Sequence, residues 1–326
     1  MRRVVIPQTN LSVSTLCLGT GFFGSSVPHD LSLSLLDSYF EAGGNFLDTA
    51  NAYMEFLPGG KGKSEATIAD WVKSRGVRKN VVIATKGGHP RIETLDRPRL
   101  KAEEVRADLV QSLERLGVEQ IDLYWLHRDD PQVPVAEILD YLTSFVSEGL
   151  VRFLGCSNWT TERMKEAADL AKTRGLDGFV ANEPMWSLAR PNPGQYAQPL
   201  LVAMDEEMYE FHRSTGMACT PYSSQALGYL TKLDRAGPEG LDDAARRRYD
   251  SPGNRKGFEV AREIAKKRGV EISHIALAYL IAQPFTTIPI VGCKRLADLA
   301  DSQRGAEVLL SGAEVEALDE AFGARS

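Results

Sequence analysis

Three polar residues stand where apolar runs end. Asp48 closes Asn45-Phe-Leu-Asp, Lys86 closes Val81-Val-Ile-Ala-Thr-Lys, and His127 closes Ile121-Asp-Leu-Tyr-Trp-Leu-His. Tyr53 follows close behind Asp48. Together these four side-chain types make an acid–base set. A phenol with an ordinary pKa of roughly 10 is too weak an acid to work well near neutrality. An ammonium from Lys86 beside it would favour the phenolate and lower that pKa. Asp48 would pair with Lys86 and hold it charged and oriented. His127 could hydrogen-bond a substrate oxygen or pass a proton. Such a set can polarise a carbonyl and protonate its oxygen while hydride reaches the carbon. A single buried histidine, or one Asp–Lys ion pair, more often serves structure. Four such groups at three neighbouring strand ends argue for chemistry.

The elements that must position them alternate along the chain. Short apolar runs at Thr15–Leu18, Asn45–Asp48, Val81–Lys86, Ile121–His127, Phe153–Ser157, Phe179–Glu183, Met217–Tyr222 and Thr287–Val291 predict eight strands. Between them lie amphipathic stretches at Leu31–Ala42, Glu65–Arg75, Ala102–Leu116, Val135–Glu148, Glu162–Arg174 and Leu200–Thr215. In Ala102–Leu116, for instance, Val105, Leu109, Leu113 and Leu116 fall on one helical face. Gly257–Arg268 and Ser273–Ala282 read as one interrupted helix, and Asp298 belongs to a last one. Val4–Ile6 and Leu11–Val13, around Gln8-Thr9-Asn10, predict a small hairpin that caps something. The expected fold is α/β: a single (β/α)8 TIM barrel with an N-terminal β-hairpin cap, one domain over residues 1–326. In such a barrel the C-terminal strand ends share one face, where active sites form. Two long loops, Met54–Lys61 and Leu227–Asn254, read as covers of that face or as surface decoration.

Composition narrows the partners. With 43% hydrophobic and 25% charged residues over 326 positions, the chain can bury a substantial core. A net charge of -6 argues against nucleic acid and against an anionic membrane surface. No segment is apolar for long enough to span a bilayer. Cys17, Cys156, Cys219 and Cys293 lack metal-ligand or CxxC spacing and sit in apolar stretches, so no metal is expected. A cytoplasmic setting is the expectation, since Met1-Arg2-Arg3 and the short apolar run after it do not make a signal peptide.

Gly19, Gly21 and Gly24 form G-x-G-x-x-G after the first strand, with Asp48 where a ribose-binding acid would stand. The context is wrong for a Rossmann unit: Ser25-Ser-Val-Pro-His-Asp follows, not a helix start. Gly19-Thr20-Gly21 reads instead as a close-approach loop at the barrel mouth, counted with the cofactor site.

Several segments, in order, resemble the aldo-keto reductase superfamily along nearly the whole chain. They are Leu18-Gly-Thr-Gly, Asn45-Phe-Leu-Asp-Thr-Ala-Asn-Ala-Tyr53, Ala84-Thr-Lys86, Asp108 to Gly117, Ile121 to His127, Gly155-Cys-Ser-Asn158 and Pro221-Tyr-Ser223. The resemblance implies a catalytic tetrad of Asp48, Tyr53, Lys86 and His127. It also implies a nicotinamide cofactor laid across the fifth to eighth strands. Ser157 and Asn158 would hold the carboxamide, and Tyr222 would stack on the ring. Ser223, Gln225 and Gly228 would approach the diphosphate. Gly292, Cys293, Lys294 and Arg295 would hold the adenosine end.

There are departures. Glu183 stands where the family usually has Gln, and a carboxylate can accept from an amide but not donate unless protonated. Asp298 replaces a usual Arg, and Asp301 and Ser302 replace the usual acidic and Asn adenine contacts. Lys294 and Arg295 still favour NADPH slightly over NADH, because Arg grips phosphate with two hydrogen bonds. On the substrate side, His89, Arg128 and Trp186, with Asp129 and Asp130, predict a polar and aromatic mouth suited to a small sugar-like carbonyl. A nucleotide-binding regulatory subunit, or a cofactor-retaining sugar epimerase or lyase, remains open as a rival on the same scaffold.

Overall fold

The computed structural model describes residues 1–176, 178–195 and 200–325. The chain opens with an antiparallel hairpin of β1 (Arg3–Val5) and β2 (Ser12–Ser14), paired Arg3↔Ser14 through Val5↔Ser12. Strands and helices then alternate: β3 (Cys17–Gly19), α1 (His29–Glu41), β4 (Phe46–Asp48), α2 (Lys63–Arg75), β5 (Val82–Gly87) and α3 (Ala102–Leu116). Next come β6 (Ile121–Leu126), α4 (Val135–Ser147), β7 (Val151–Ser157), α5 (Thr161–Arg174), β8 (Phe179–Glu183), α6 (Glu206–Thr215) and β9 (Ala218–Cys219). The C-terminal part holds α7 (Tyr229–Ala236), α8 (Asp243–Tyr249), α9 (Pro252–Arg268), α10 (Ile272–Ile281), β10 (Ile290–Val291), α11 (Leu296–Gly305) and α12 (Gly312–Phe322).

The eight strands after the hairpin run parallel in the order β10-β3-β4-β5-β6-β7-β8-β9. The remaining seam between β9 and the run into β10 is joined by Cys219 N to Thr286 O at 2.9 Å, Ile288 N to Cys219 O at 2.8 Å and Ile290 N to Pro221 O at 3.0 Å. The sheet therefore curls into the expected TIM-type barrel.

Period-two alternation sets what fills it. Phe46, Val82, Ala84, Leu123, Trp125, Ala181, Ala218 and Ile288 form an inner apolar cluster that includes Ile6, Leu11 and Val13 from the hairpin. The hairpin is thus the plug that the sequence predicts. Two residues further along the same strands, the inner positions turn polar: Asp48 after Phe46, Lys86 after Ala84, His127 after Trp125, Glu183 after Ala181. The other strand face packs on the surrounding helices in a second, larger core.

The structure corrects three expectations. The stretch 227–254 is not simply a loop: it contains α7 and α8. Tyr229, Leu230 and Leu233 bury one face of α7, and the Asp242 side chain caps α8 by accepting from Ala245 N. α9 and α10 are separate helices, because Gly269 takes a left-handed φ of 66° and ends the first. The seventh strand is only two residues long, and β7 starts at Val151, earlier than expected. Among the described residues no helix is long and apolar enough to cross a membrane.

Candidate active site

Asp48, Lys86 and His127 come from β4, β5 and the residue after β6, which are adjacent strands. Tyr53 is brought back over them by a turn whose start is pinned by Asn51 N on Lys86 O at 3.0 Å. Lys86 is 1% exposed and its Nζ donates to Tyr53 OH at 2.9 Å and to Thr49 O at 3.0 Å. It also forms a close ion pair with Asp48 and lies 3.4 Å from Glu183 Oε1. Tyr53 OH donates to Asp48 Oδ2 at 3.1 Å. The His127 ring stands edge-on to Tyr53 with centroids 5.9 Å apart. All four residues therefore meet at one rim, with Glu183 beside them.

The electrostatics differ from the sequence expectation in one respect. Lys86 does pull the Tyr53 phenol towards ionisation, but burial and the Asp48 charge outweigh it, so its pKa rises above the ordinary value. Tyr53 is accordingly a neutral phenol that still holds its proton. Burial drives His127 well below the usual histidine range, helped by His89, Arg128 and Lys86. His89, ring centroid 4.6 Å from His127, is likewise lowered to about 4, chiefly by burial. Both imidazoles are neutral near pH 7, so they can orient an oxygen but carry no charge.

Past β6 the rim continues into Ser157 and Asn158 at the end of β7 and Tyr222 after β9. Asn158 adopts φ 60° and is fully engaged. Its Nδ2 donates to His127 O at 3.2 Å and Ser157 Oγ at 2.9 Å, and its Oδ1 accepts from Tyr222 OH at 2.7 Å and Val202 N at 3.1 Å. Ser157 Oγ donates to Glu183 O at 2.7 Å. A groove of about 580 Å³ gathers Gln225 and Gly228 with Gly292, Cys293 and Arg295. Asp298, Asp301 and Ser302 of α11 line its far side.

A model of the Aldo/keto reductase family matches residues 15–322. The chain belongs to that family. This aldo/keto reductase is 28% identical over 344 residues to norsolorinic acid reductase B of Dothistroma septosporum, covering 98% of the chain and 81% of the relative. It is 29% identical over 344 residues to the aldo-keto reductase ausK of Emericella nidulans, covering 97% and 80%. It is also 29% identical over 331 residues to the uncharacterized oxidoreductase YrpG of Bacillus subtilis, covering 99% and 96%. The protein is an oxidoreductase enzyme, and members of its family generally use NAD(P)H.

The groove of this aldo/keto reductase fits a dinucleotide. Gly228 and Arg295 are the N-caps of α7 and α11, so two helix starts present backbone N–H groups to the groove. At the tetrad, Asp48 Oδ1, His127 Nδ1 and Glu183 Oε2 are buried with no hydrogen-bond partner among the described residues. Polar atoms left open there suit a ligand with a polar ring end.

Other predicted residues lie elsewhere or are already spent. Lys294 points its ammonium at the Phe22 ring, 4.2 Å from the centroid, and is not part of the groove wall. Arg295 is gripped by Asp298 at 3.0 and 2.5 Å, which offsets its charge. Asp301 accepts from Ser273 at 2.7 Å and from Arg304 at 3.1 Å, and pairs with His274 at 2.9 Å. Thr20 Oγ1 bonds Asp48 O and Ser64 Oγ, each at 2.8 Å, so it braces the rim. A Cβ on Gly19 would sit 2.8 Å from Ile290, and one on Gly21 would touch the Tyr53 ring at 3.5 Å. Ser223 takes a left-handed φ of 54° in the turn after β9.

The substrate side is corrected too. Trp186 is 2% exposed, stacks on Phe285 at 6.0 Å, and meets Tyr209 and Tyr279 edge-on: it is core, not a pocket wall. Asp129 is held by Arg163 at 3.0 and 2.9 Å, and Asp130 caps its own loop through Gln132 N. His89 and Arg128 remain beside the tetrad, with Arg128 donating to His127 O at 2.8 Å. Sequence reading missed Thr231, Lys232 and Arg235, which line the groove from α7. The signal was their helical spacing after Gly228, hidden because that stretch reads as loop.

Proposed function

We propose that this aldo/keto reductase reduces the carbonyl of a small, hydroxylated, sugar-like substrate, with Tyr53 as proton donor and NADPH preferred over NADH. When bound, the nicotinamide supplies the hydride. The protein's part is to place the carbonyl oxygen and neutralise its growing charge. Tyr53 OH, held at 2.9 Å from Lys86 Nζ, gives its proton to that oxygen, and Lys86 stabilises the phenolate left behind. Asp48 keeps Lys86 charged and aimed. Neutral His127 donates or accepts a hydrogen bond at the substrate oxygen without competing for the proton. Ser157, Asn158 and Glu183 are the groups proposed to meet the carboxamide. Tyr222 already occupies Asn158 Oδ1, so its hydroxyl must yield or the amide must bond elsewhere.

The single observation that carries the reading is the Tyr53–Lys86–Asp48 contact set at the rim of the barrel. The polar neighbours His89 and Arg128 support a hydroxylated substrate over a long apolar one. For the 2′-phosphate, Arg235 is the favoured group: it lines the groove and has no ion-pair partner among the described residues. The test is Tyr53→Phe, assayed by NADPH consumption over a panel of sugar and simple aldehydes. Turnover should fall by about 100-fold or more while NADP+ still binds. Near-normal turnover would remove Tyr53 as the acid. Turnover of apolar aldehydes alone would defeat the substrate class. Product formed without net NADPH loss would favour the epimerase or lyase reading.

A further inference from the structure

We infer that Glu183 is a positioning residue for Lys86, a carboxylic acid that shares one proton with Asp48 and so leaves Lys86 a single full anionic partner. The catalytic consequence rests on the proposed role of Tyr53; the shared proton does not.

The geometry places two carboxyl groups against one ammonium. Asp48 reaches Lys86 from β4, and Glu183 reaches it from β8 across the barrel, Oε1 at 3.4 Å. The Asp48 and Glu183 side chains are 2% and 3% exposed. Each keeps one oxygen, Asp48 Oδ1 and Glu183 Oε2, without a partner among the described residues. Two carboxylates in a dry site with one ammonium leave one charge that Lys86 does not cancel, and burying such a charge is costly. One proton taken up by the two carboxyls removes that uncancelled charge.

The other groups facing Glu183 do not restore the balance. Arg128 pulls it towards ionisation, but more weakly than Lys86 does. Tyr53 and Tyr222 are neutral phenols, and Cys17 and Cys219 are thiols that burial keeps protonated. His127 is neutral. Burial and Asp48 thus hold the Glu183 carboxyl well above the usual range. Ionising it would set a second anion against Lys86 and oppose phenolate at Tyr53. A neutral Glu183 can also donate as well as accept, as the amide of Gln would.

The substitution to use is Glu183→Gln, which keeps size and removes the proton-sharing acid. The first measurement needs no cofactor. Infrared spectra of the whole protein near neutral pH should show a buried protonated-carboxyl band. That band should shift when glutamate is carbon-13 labelled and vanish in Glu183→Gln. Should the variant not fold, the label shift in the wild-type protein decides alone. A wild-type protein without such a band, or one whose band ignores the glutamate label, overturns the inference. The second measurement is kcat/KM for NADPH-dependent reduction from about pH 6 to about pH 10. Relative to its own value near pH 7, the wild type should lose about tenfold on the alkaline side, and Glu183→Gln, at whatever level it works, should show no such fall. The same alkaline loss in both proteins overturns it as well. A chain that reduces no carbonyl sinks the reading of Tyr53, and the infrared measurement still decides the proton.

Discussion

Replacing Lys86 with methionine is the perturbation whose cost can be worked from the site. Lys86 Nζ is shared among Asp48, Glu183, Thr49 O and Tyr53 OH at 1% exposure. At an effective dielectric constant of about 20, an ion pair in contact, as Lys86 and Asp48 are, attracts by about 5 kcal/mol. That is a gross figure, since desolvation already consumes much of it. Removing one partner of a buried pair costs about 3 to 5 kcal/mol net. Methionine fills most of the volume, so cavity loss adds little. The cost must depend on pH. Without the ammonium, the remaining carboxylate can be buried only bare or protonated. Its folded pKa therefore rises above the unfolded values of roughly 3.9 for Asp and 4.3 for Glu. Above those values the folded variant binds more protons than the unfolded chain, so its stability falls as pH rises through that window. Urea unfolding followed by tryptophan fluorescence should give a loss of about 3 kcal/mol near pH 8, shrinking towards about 1 kcal/mol near pH 4. A loss below about 1 kcal/mol at neutral pH, or one that stays flat with pH, would refute this account of the cluster.

Two further outcomes separate packing from binding. Trp186→Ala should cost about 3 to 5 kcal/mol in the same unfolding experiment and leave KM unchanged, because the ring packs on Phe285, Tyr209 and Tyr279. A raised KM without destabilisation would return Trp186 to the pocket. Arg235→Ala should weaken NADP+ binding by about tenfold and leave NAD+ binding nearly constant, as read by fluorescence titration. Equal effects on both cofactors would assign Arg235 elsewhere.

The barrel and its rim were legible because each strand announces where it turns polar. Asp48, Lys86 and His127 each end an apolar run, and period-two alternation then puts all three on the inner face. Helix ends were legible at glycines such as Gly117 and Gly175, both left-handed C-caps. What stayed hidden depends on distant partners. Asp129 looks like a mouth acid until Arg163, on α5, claims it. Trp186 looks like a pocket wall until α6 and α10 close over it. Lys294 looks like a phosphate ligand until Phe22 takes its ammonium. α7 was hidden for a different reason: at eight residues, flanked by Gly228 and Gly237, it carries too few turns for its period to stand out.

The raised pKa of Tyr53 bears on direction. Lys86 was expected to make the phenol more acidic, yet burial and Asp48 prevail. On the proposed mechanism this does not block reduction. The oxygen that receives the proton is becoming an alkoxide, whose conjugate acid is about as weak as water. Transfer from even a weakened phenol to such an oxygen runs downhill. Oxidation of the alcohol is different, because it must start from the phenolate, which the site disfavours near neutrality. The phenol is thus poised to give a proton, not to take one. The fixed ammonium at 2.9 Å matters most in the instant when the phenolate exists.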